Sequence, residues 1–137
     1  MDKNKLDDKQ MISLFKVLTN FSYDSYIGEV LQNATQKMSL NNNVLDAFFA
    51  VIKSMSYNSE MEKAVLMFME KPNLSDYAIS AILKSATLFS YDSSKVKILK
   101  SVKKHIKGKP SLKAQFKLAV KGISSDSEYR KLMNGID

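Results

Sequence analysis

The side chains in this sequence that could support acid–base catalysis reduce to one histidine, His105, in the stretch "KKHIK". A serine–histidine–acid set would need His105 as its base, but the neighbouring lysines lower the affinity of the imidazole for a proton. A zinc site of the His-Glu-x-x-His type needs two histidines one helical turn apart, which a chain with one histidine does not have. We therefore predict a solvated position on a helix for His105, no catalytic residue, no metal site and no cofactor.

Charge is the most uneven property of the chain. Residues 1–92 contain nine Lys and eleven acidic residues, whereas residues 93–137 contain twelve Lys or Arg and three acidic residues. Between Ser93 and Ser125 there are ten Lys and no acidic residue at all. A surface of one sign favours an anionic partner. The candidate partner-binding residues are Lys97, Lys100, Lys104, Lys107, Lys113, Lys117 and Lys121.

Two explanations of these lysines remain open at the level of sequence. Composition alone is one of them, because a chain with 20 Lys and one Arg can solvate its helices with lysine whatever its function. An anionic partner is the other, and it could be an acidic protein surface, nucleic acid or a lipid headgroup layer. Nucleic acid is disfavoured by the shortage of arginine, which makes the bidentate contacts to phosphate and guanine. We predict a protein partner, with an acidic surface as one option and nucleic acid as the weaker alternative.

The elements that carry these residues follow from an internal repeat. The stretch "FSYDS" at 21–25 returns as "MSYNS" at 55–59, "FSYDS" at 89–93 and "ISSDS" at 123–127, each copy 34 residues after the last. Apolar residues before each copy follow the spacing i, i+3, i+4, i+7, as in Phe48, Val51, Ile52 and Met55. A second apolar series follows each copy, and only Lys95 interrupts it in the third copy. This pattern predicts two helices per repeat, joined at the quoted turn.

The predicted fold is all-α, an α-solenoid of about four antiparallel helical hairpins. Residues 1–137 would form a single domain with repeats at about 7–40, 41–74, 75–108 and 109–137. The predicted helices are 7–20, 25–38, 43–55, 59–70, 75–88, 93–107, 111–122 and 126–134. The scarcity of glycine and proline, four and two residues, supports long helices over many short strands.

The turn residues have a predicted structural role. Asp24, Asn58, Asp92 and Asp126, or the serine after each, are suited to cap the second helix of their hairpin by accepting from its free N–H groups. The tyrosines at 23, 57 and 91 are expected to lie over the junction between the helices. Asn41–Asn43 and Ser75 or Asp76 are candidate caps for first helices.

These repeats resemble a known family. "ISSDSEYRKLM" from Ile123, "MSYNSEMEKAVL" from Met55 and "FSYDSSKVKIL" from Phe89 are similar to HEAT-like repeats of the I-S-S-D-x-E-K type. Such repeats occur in bacterial proteins, in some cases trailing membrane sensor metallopeptidases, and the resemblance implies a helical-repeat binding surface without the peptidase. The tetratricopeptide repeat shares the period, but its Trp, its Leu-Gly pair and its small residues have no counterparts here.

The sequence therefore predicts a non-catalytic helical-repeat scaffold that binds another macromolecule, most simply a protein. The alternative is a HEAT-like nucleic-acid binder, or an enzyme like the HEAT-like alkylpurine DNA glycosylases, using the basic C-terminal half. No apolar run approaches the roughly 20 residues of a membrane span. We predict a cytoplasmic protein; an extracytoplasmic location would follow if the chain were excised from a longer protein.

Overall fold

The computed structural model describes residues 6–136, and every regular element within them is an α-helix. The helices are α1 (Asp8–Leu18), α2 (Asp24–Thr35), α3 (Asn42–Ser54), α4 (Asn58–Met69), α5 (Asp76–Ala86), α6 (Asp92–Lys103), α7 (Pro110–Val120) and α8 (Asp126–Met133). The odd-numbered helices begin 34 residues apart, and so do the even-numbered ones. The prediction of an all-α helical-repeat fold is confirmed.

The chain divides into two compact units, Met1–Leu74 and Ser75–Asp137. Unit one contains hairpin one (α1 and α2) and hairpin two (α3 and α4). Unit two contains hairpin three (α5 and α6) and hairpin four (α7 and α8). The boundary between the units coincides with the predicted boundary between the second and third repeats, so each unit holds two complete repeats.

In unit one, corresponding helices of the two hairpins pack against each other, α1 on α3 and α2 on α4. Phe48 is fully buried at the centre of this contact. Its ring lies edge-on to Phe15 with centroids 5.7 Å apart and is stacked on Phe68 with centroids 5.0 Å apart. Because aromatic rings bury large areas and prefer such geometries, this cluster contributes strongly to the core of unit one.

Unit two is built on the same plan, with α7 packing on α5 and α8 on α6. The predicted apolar face of α7 is buried at Phe116, Ala119, Val120 and the following Ile123. The predicted face of α6 is buried as well, through Ile98, Leu99, Val102 and the following Ile106. The 34-residue apolar register therefore describes α6 and α7 correctly, whereas the predicted face of α8 buries Leu132 and leaves Tyr129 exposed.

Hairpin one departs from the predicted register. The pattern predicts burial of Val17 and Phe21, but these side chains are 52% and 41% exposed, and α1 buries Met11 and Phe15 instead. In hairpins two and four the positions equivalent to Val17 and Phe21 are buried beside the preceding hairpin of the same unit. No described helix covers them in hairpin one, so α1 buries only the face that meets α3.

The predicted caps of the second helices are wrong. The N-cap residues of α2, α4 and α6 are Tyr23, Tyr57 and Tyr91, and none of the three makes a side-chain capping hydrogen bond. In α8 the N-cap is Ser125, whose hydroxyl accepts from the backbone N–H of Glu128. The aspartate, or the asparagine in the second copy, is the first residue inside each helix and therefore does not occupy the N-cap position.

Instead, the aspartate of one turn holds the turn of the next hairpin in the same unit. The Oδ2 atom of Asp24 accepts from the backbone N–H groups of Ser56 at 2.8 Å and Tyr57 at 2.6 Å. In unit two, Oδ2 of Asp92 accepts from Ser124 at 2.8 Å and Ser125 at 3.1 Å. Hydrogen bonds to a charged acceptor are stronger than those between neutral groups. The repeated motif therefore joins successive hairpins.

The first helices follow the predicted capping chemistry more closely. The Ser75 hydroxyl accepts from the N–H of Ala78 at 3.1 Å, which confirms this cap. Asn41 occupies the N-cap position of α3, but its side-chain amide donates to the carboxylate of Asp8 instead of capping the helix. In α1, Asp7 and Gln10 form a capping box.

Candidate functional site

Several of the ten lysines between Ser93 and Ser125 serve the packing of unit two. Lys95 donates to the carbonyl of Gly122 just after α7, and Lys103 donates to the carbonyl of Lys131 in the last turn of α8. A cation at the C-terminal end of a helix complements the helix dipole. Lys109 contacts the carboxylate of Asp76. These lysines join hairpins three and four.

Lys100, one of the predicted partner-binding residues, also has a contact within unit two. Its Nζ atom lies 3.7 Å from Oε2 of Glu128, a buried carboxylate oxygen that accepts no hydrogen bond from residues 6–136. Lys131 lies 3.8 Å from the other oxygen of the same carboxylate. These separations exceed hydrogen-bond distance, so the lysines compensate the charge of Glu128 only by electrostatic attraction. An exposed pair of this kind contributes little to stability.

The remaining predicted lysines occupy two places in unit two. Lys104 and Lys107 are exposed in the segment between α6 and α7, because α6 ends at Lys103, four residues before its predicted end. Lys113, Lys117 and Lys121 follow α7 at intervals of one turn, with Lys121 at its C-cap. We call these three the α7 lysine row. Lys97 is exposed on α6. The structure thus distributes the predicted lysines over α6, the following turn and α7.

The α7 lysine row stands on a particular face of hairpin four. Subtracting 34 from the positions of Lys113 and Lys117 gives Ile79 and Leu83, which are buried on α5, the helix that packs on α7. The corresponding residues of hairpin one, Met11 and Phe15, are buried where α1 packs on α3. Hairpin four therefore carries lysine where other hairpins carry the apolar side chains that meet the next hairpin.

His105 lies in the segment between α6 and α7, after α6 has ended at Lys103, and it is partly buried, so the prediction of a solvated helix position is wrong. This burial lowers the pKa of its imidazole below the ordinary value of 6.5, and the positive charges of Lys104 and Lys109 lower it further. No carboxylate forms a hydrogen bond or ion pair with it in residues 6–136. The direction of this pKa shift agrees with the effect expected from the "KKHIK" stretch.

The lowered pKa of His105 predicts a pH effect on stability. Because the unfolded chain binds this proton more tightly than the folded chain does, stability should fall as the pH drops from above 6.5 toward the folded pKa. Replacing His105 with Asn should remove this part of the pH dependence. Urea unfolding of both proteins at pH 7.5 and pH 5.5 measures it, and an equal loss of stability in the two proteins would contradict the prediction.

The tyrosines of the repeated turn do not cover the junction as expected. Tyr23, Tyr57 and Tyr91 are 77%, 66% and 65% exposed. Each is the N-cap of its helix and makes no capping hydrogen bond with its side chain. Tyrosine is enriched at protein interfaces because it combines a large contact area with a polar group and little conformational entropy. The sequence shows these tyrosines as a repeated motif. Only the structure shows that their side chains are exposed and available for contact with a partner, and are not packed into the joint between the helices.

Unit one contains a groove of about 690 Å³ between α2 and α4. Its lining includes Tyr26, Glu29, Glu60 and Lys63. A Cβ atom at Gly28 would lie 3.0 Å from a carboxylate oxygen of Glu60, a close contact that rotation of the Glu60 side chain can relieve. Sequence reasoning did not identify this groove, since its residues belong to the outward faces of two helices that are 34 residues apart.

Other kinds of site were sought in the part of the chain that the structure describes. No group of three or more His, Asp or Glu side chains among residues 6–136 is arranged to hold a metal ion. None of the described helices is both long enough and apolar enough to cross a membrane. Comparisons with models of protein families, with curated proteins and with solved structures found no match.

Proposed function

We propose that this chain is a non-catalytic helical-repeat scaffold of the HEAT-like kind, and that it binds an acidic surface of another protein. The observation that carries the proposal is the one-signed stretch of residues 93–125 in unit two. Lys104, Lys107, Lys117 and Lys121 are exposed there, and residues 93–125 contain no carboxylate. Like charges at neighbouring helical positions repel one another, so a partner that brings negative charge relieves this repulsion.

The chemistry of lysine favours a protein over a nucleic acid as the partner. A lysine ammonium is a hydrated point charge, whereas recognition of phosphate and guanine commonly uses the planar fork of arginine. The one arginine of the chain, Arg130, is on α8 and outside the α7 lysine row. Acidic side chains on a protein can pair with lysines singly, without such a fork.

The test compares two triple variants of the full chain as baits in extracts of cells that produce it. One variant replaces Lys113, Lys117 and Lys121 with Gln. The control replaces three exposed lysines of unit one, Lys9, Lys16 and Lys53, with Gln, so that both variants lose the same charge. We expect a protein that the wild type and the control capture and that the α7 variant loses. For the purified partner, we expect affinity to fall about tenfold, near 1.4 kcal/mol, and to weaken with salt.

Two results would contradict the proposal. Equal affinity of the two triple variants for the purified partner would leave composition as the reason for the lysines. A sequence-selective complex with duplex DNA would instead support the nucleic-acid alternative. Titration of a 20-base-pair duplex at several salt concentrations examines this, since binding through phosphates changes with a logarithmic slope near 0.9 per phosphate neutralised. We expect only weak, sequence-independent attraction at low salt.

A further inference from the structure

Hairpin one presents an apolar surface that other hairpins bury. We call it the open face, and it consists of Leu14, Val17, Phe21 and Val30. The equivalent residues of hairpin two are Phe48, Val51, Met55 and Ala64, and those of hairpin four are Phe116, Ala119, Ile123 and Leu132; all eight are buried. On the open face, Val17 and Phe21 are exposed and the other two are half-buried. The open face thus has the composition of a contact between hairpins.

A recess of about 160 Å³ adjoins the open face. Leu14 and Val30 line it together with Met11 and Ala34, and Asn33 and Lys37 are also among its residues. The recess lies where α1 and α2 of hairpin one meet, so an apolar side chain of a helix packed on the open face could enter it. Apolar contact area and a recess for an inserted side chain are common features of protein interfaces.

Two hydrogen-bond donors beside the open face have no acceptor among residues 6–136. The backbone N–H groups of Ser56 and Tyr57 are held by Asp24 of the preceding hairpin, and those of Ser124 and Ser125 by Asp92. The equivalent N–H groups in hairpin one belong to Ser22 and Tyr23, and no described residue accepts from them. The donors that join one hairpin to the preceding one are therefore present in hairpin one, and the described part of the chain supplies no acceptor for them.

We propose that the open face binds a helical hairpin of another protein chain. That hairpin carries large apolar side chains on the face it presents, as hairpin one does with Met11, Phe15 and Leu18. It also carries an aspartate at the first position of its second helix, whose carboxylate accepts from Ser22 and Tyr23. Hairpins one and three meet both requirements where they cover hairpins two and four. The contact continues the arrangement already present within each unit.

A second copy of this chain fits the open face less well. Its hairpin four could offer the carboxylate of Asp126, which forms no hydrogen bond or ion pair in residues 6–136. However, Lys113 and Lys117 would then oppose Leu14 and Val17, and charged groups would be buried against apolar ones. Two open faces placed against each other would provide no carboxylate for Ser22 and Tyr23.

The experiment uses a labelled peptide of residues 7–40 as the probe, because this segment already covers the equivalent face of hairpin two. We expect saturable one-to-one binding to the full chain by fluorescence anisotropy. Val17→Lys in the full chain should weaken binding at least tenfold, because it places a charge in an apolar contact. Asp24→Ala in the peptide should weaken it several-fold through loss of the charged acceptor. Leu118→Lys, at an exposed apolar residue of α7, is the control and should bind normally.

A second measurement tests the proposal even if the peptide does not fold on its own. In a chain with residues 7–40 duplicated after Leu40, the first hairpin can cover the open face of the inserted one without an intermolecular step. We expect a higher midpoint of urea unfolding than for the original chain, and Val17→Lys in the inserted copy should abolish the gain. Absence of both peptide binding and added stability would overturn the proposal. So would a homodimer of the full chain, seen by sedimentation, that Val17→Lys dissociates.

Discussion

Replacing Phe48 with alanine should lower the free energy of unfolding by about 3–5 kcal/mol, the largest single-residue effect that we expect in this protein. The ring is fully buried and contacts Phe15, Phe49 and Phe68. Its loss removes apolar burial and leaves a cavity between α1, α3 and α4, which rigid helices fill only in part. Urea unfolding followed by circular dichroism measures the change.

Tyr57→Ala is the matched control for the Phe48 variant. Tyr57 is an aromatic residue of the same unit, but its side chain is mostly exposed. Substitutions at such positions usually change stability by less than about 0.5 kcal/mol. A Phe48 variant that lost no more than the Tyr57 variant would show that the aromatic cluster is not the core of unit one.

The second large effect concerns the joint between hairpins. Asp24→Ala should cost about 1.5–3 kcal/mol, because a buried charged acceptor of two backbone hydrogen bonds is lost. Asp24→Asn should cost less, since its amide oxygen is still an acceptor. Asp92 makes the same two bonds but is less buried, so Asp92→Ala should cost less than Asp24→Ala.

Asp126 provides an internal control for the joint, because it occupies the same repeat position without a hydrogen-bond partner among the described residues. Asp126→Ala removes only the favourable interaction of a negative charge with the start of α8, which is worth less than about 1 kcal/mol. If each aspartate instead capped its own helix, the three Ala substitutions would lower the stability by similar amounts. Equal losses of stability for the Ala variants at 24, 92 and 126 would therefore contradict the hydrogen bonds between hairpins. Losses that decrease in the order 24, 92, 126 would support them.

Two functional proposals involve different surfaces and separate experiments. The acidic partner is proposed for the lysines of unit two, and the helical hairpin for the open face of unit one. Val17→Lys should leave capture by the α7 lysine row unchanged, and the triple replacement of that row should leave binding of the hairpin peptide unchanged. Either proposal can therefore fail without the other.

The resemblance to HEAT-like repeats remains a prediction. It depends on the turn motif, and the structure assigns that motif to contacts between hairpins. A helical repeat of any family needs such contacts, because its single hairpins cannot bury their apolar faces alone.

The amino-acid sequence by itself determined the helices and their period. Apolar residues at the spacing of one helical face indicate burial whichever element covers them, so the faces of α3, α5, α6 and α7 were predictable. The turn residues marked the joints between helices to within a few residues. Net charge by segment likewise located the basic region in unit two, because it is a sum over residues and needs no coordinates.

Only the tertiary structure decided which partner each polar group takes. Asp24 and Asp92 have the residue type and position of a local cap, but their carboxylates reach N–H groups 32 and 33 residues away. Lys103 looks like a surface lysine in sequence and Lys95 interrupts an apolar series, yet both donate to carbonyls of hairpin four. The open face was hidden for the same reason: Val17 fits the apolar pattern, and only the packing of neighbouring helices determines that it stays exposed. A periodic pattern indicates which side of a helix is apolar, whereas the element that packs on this side depends on residues distant in sequence.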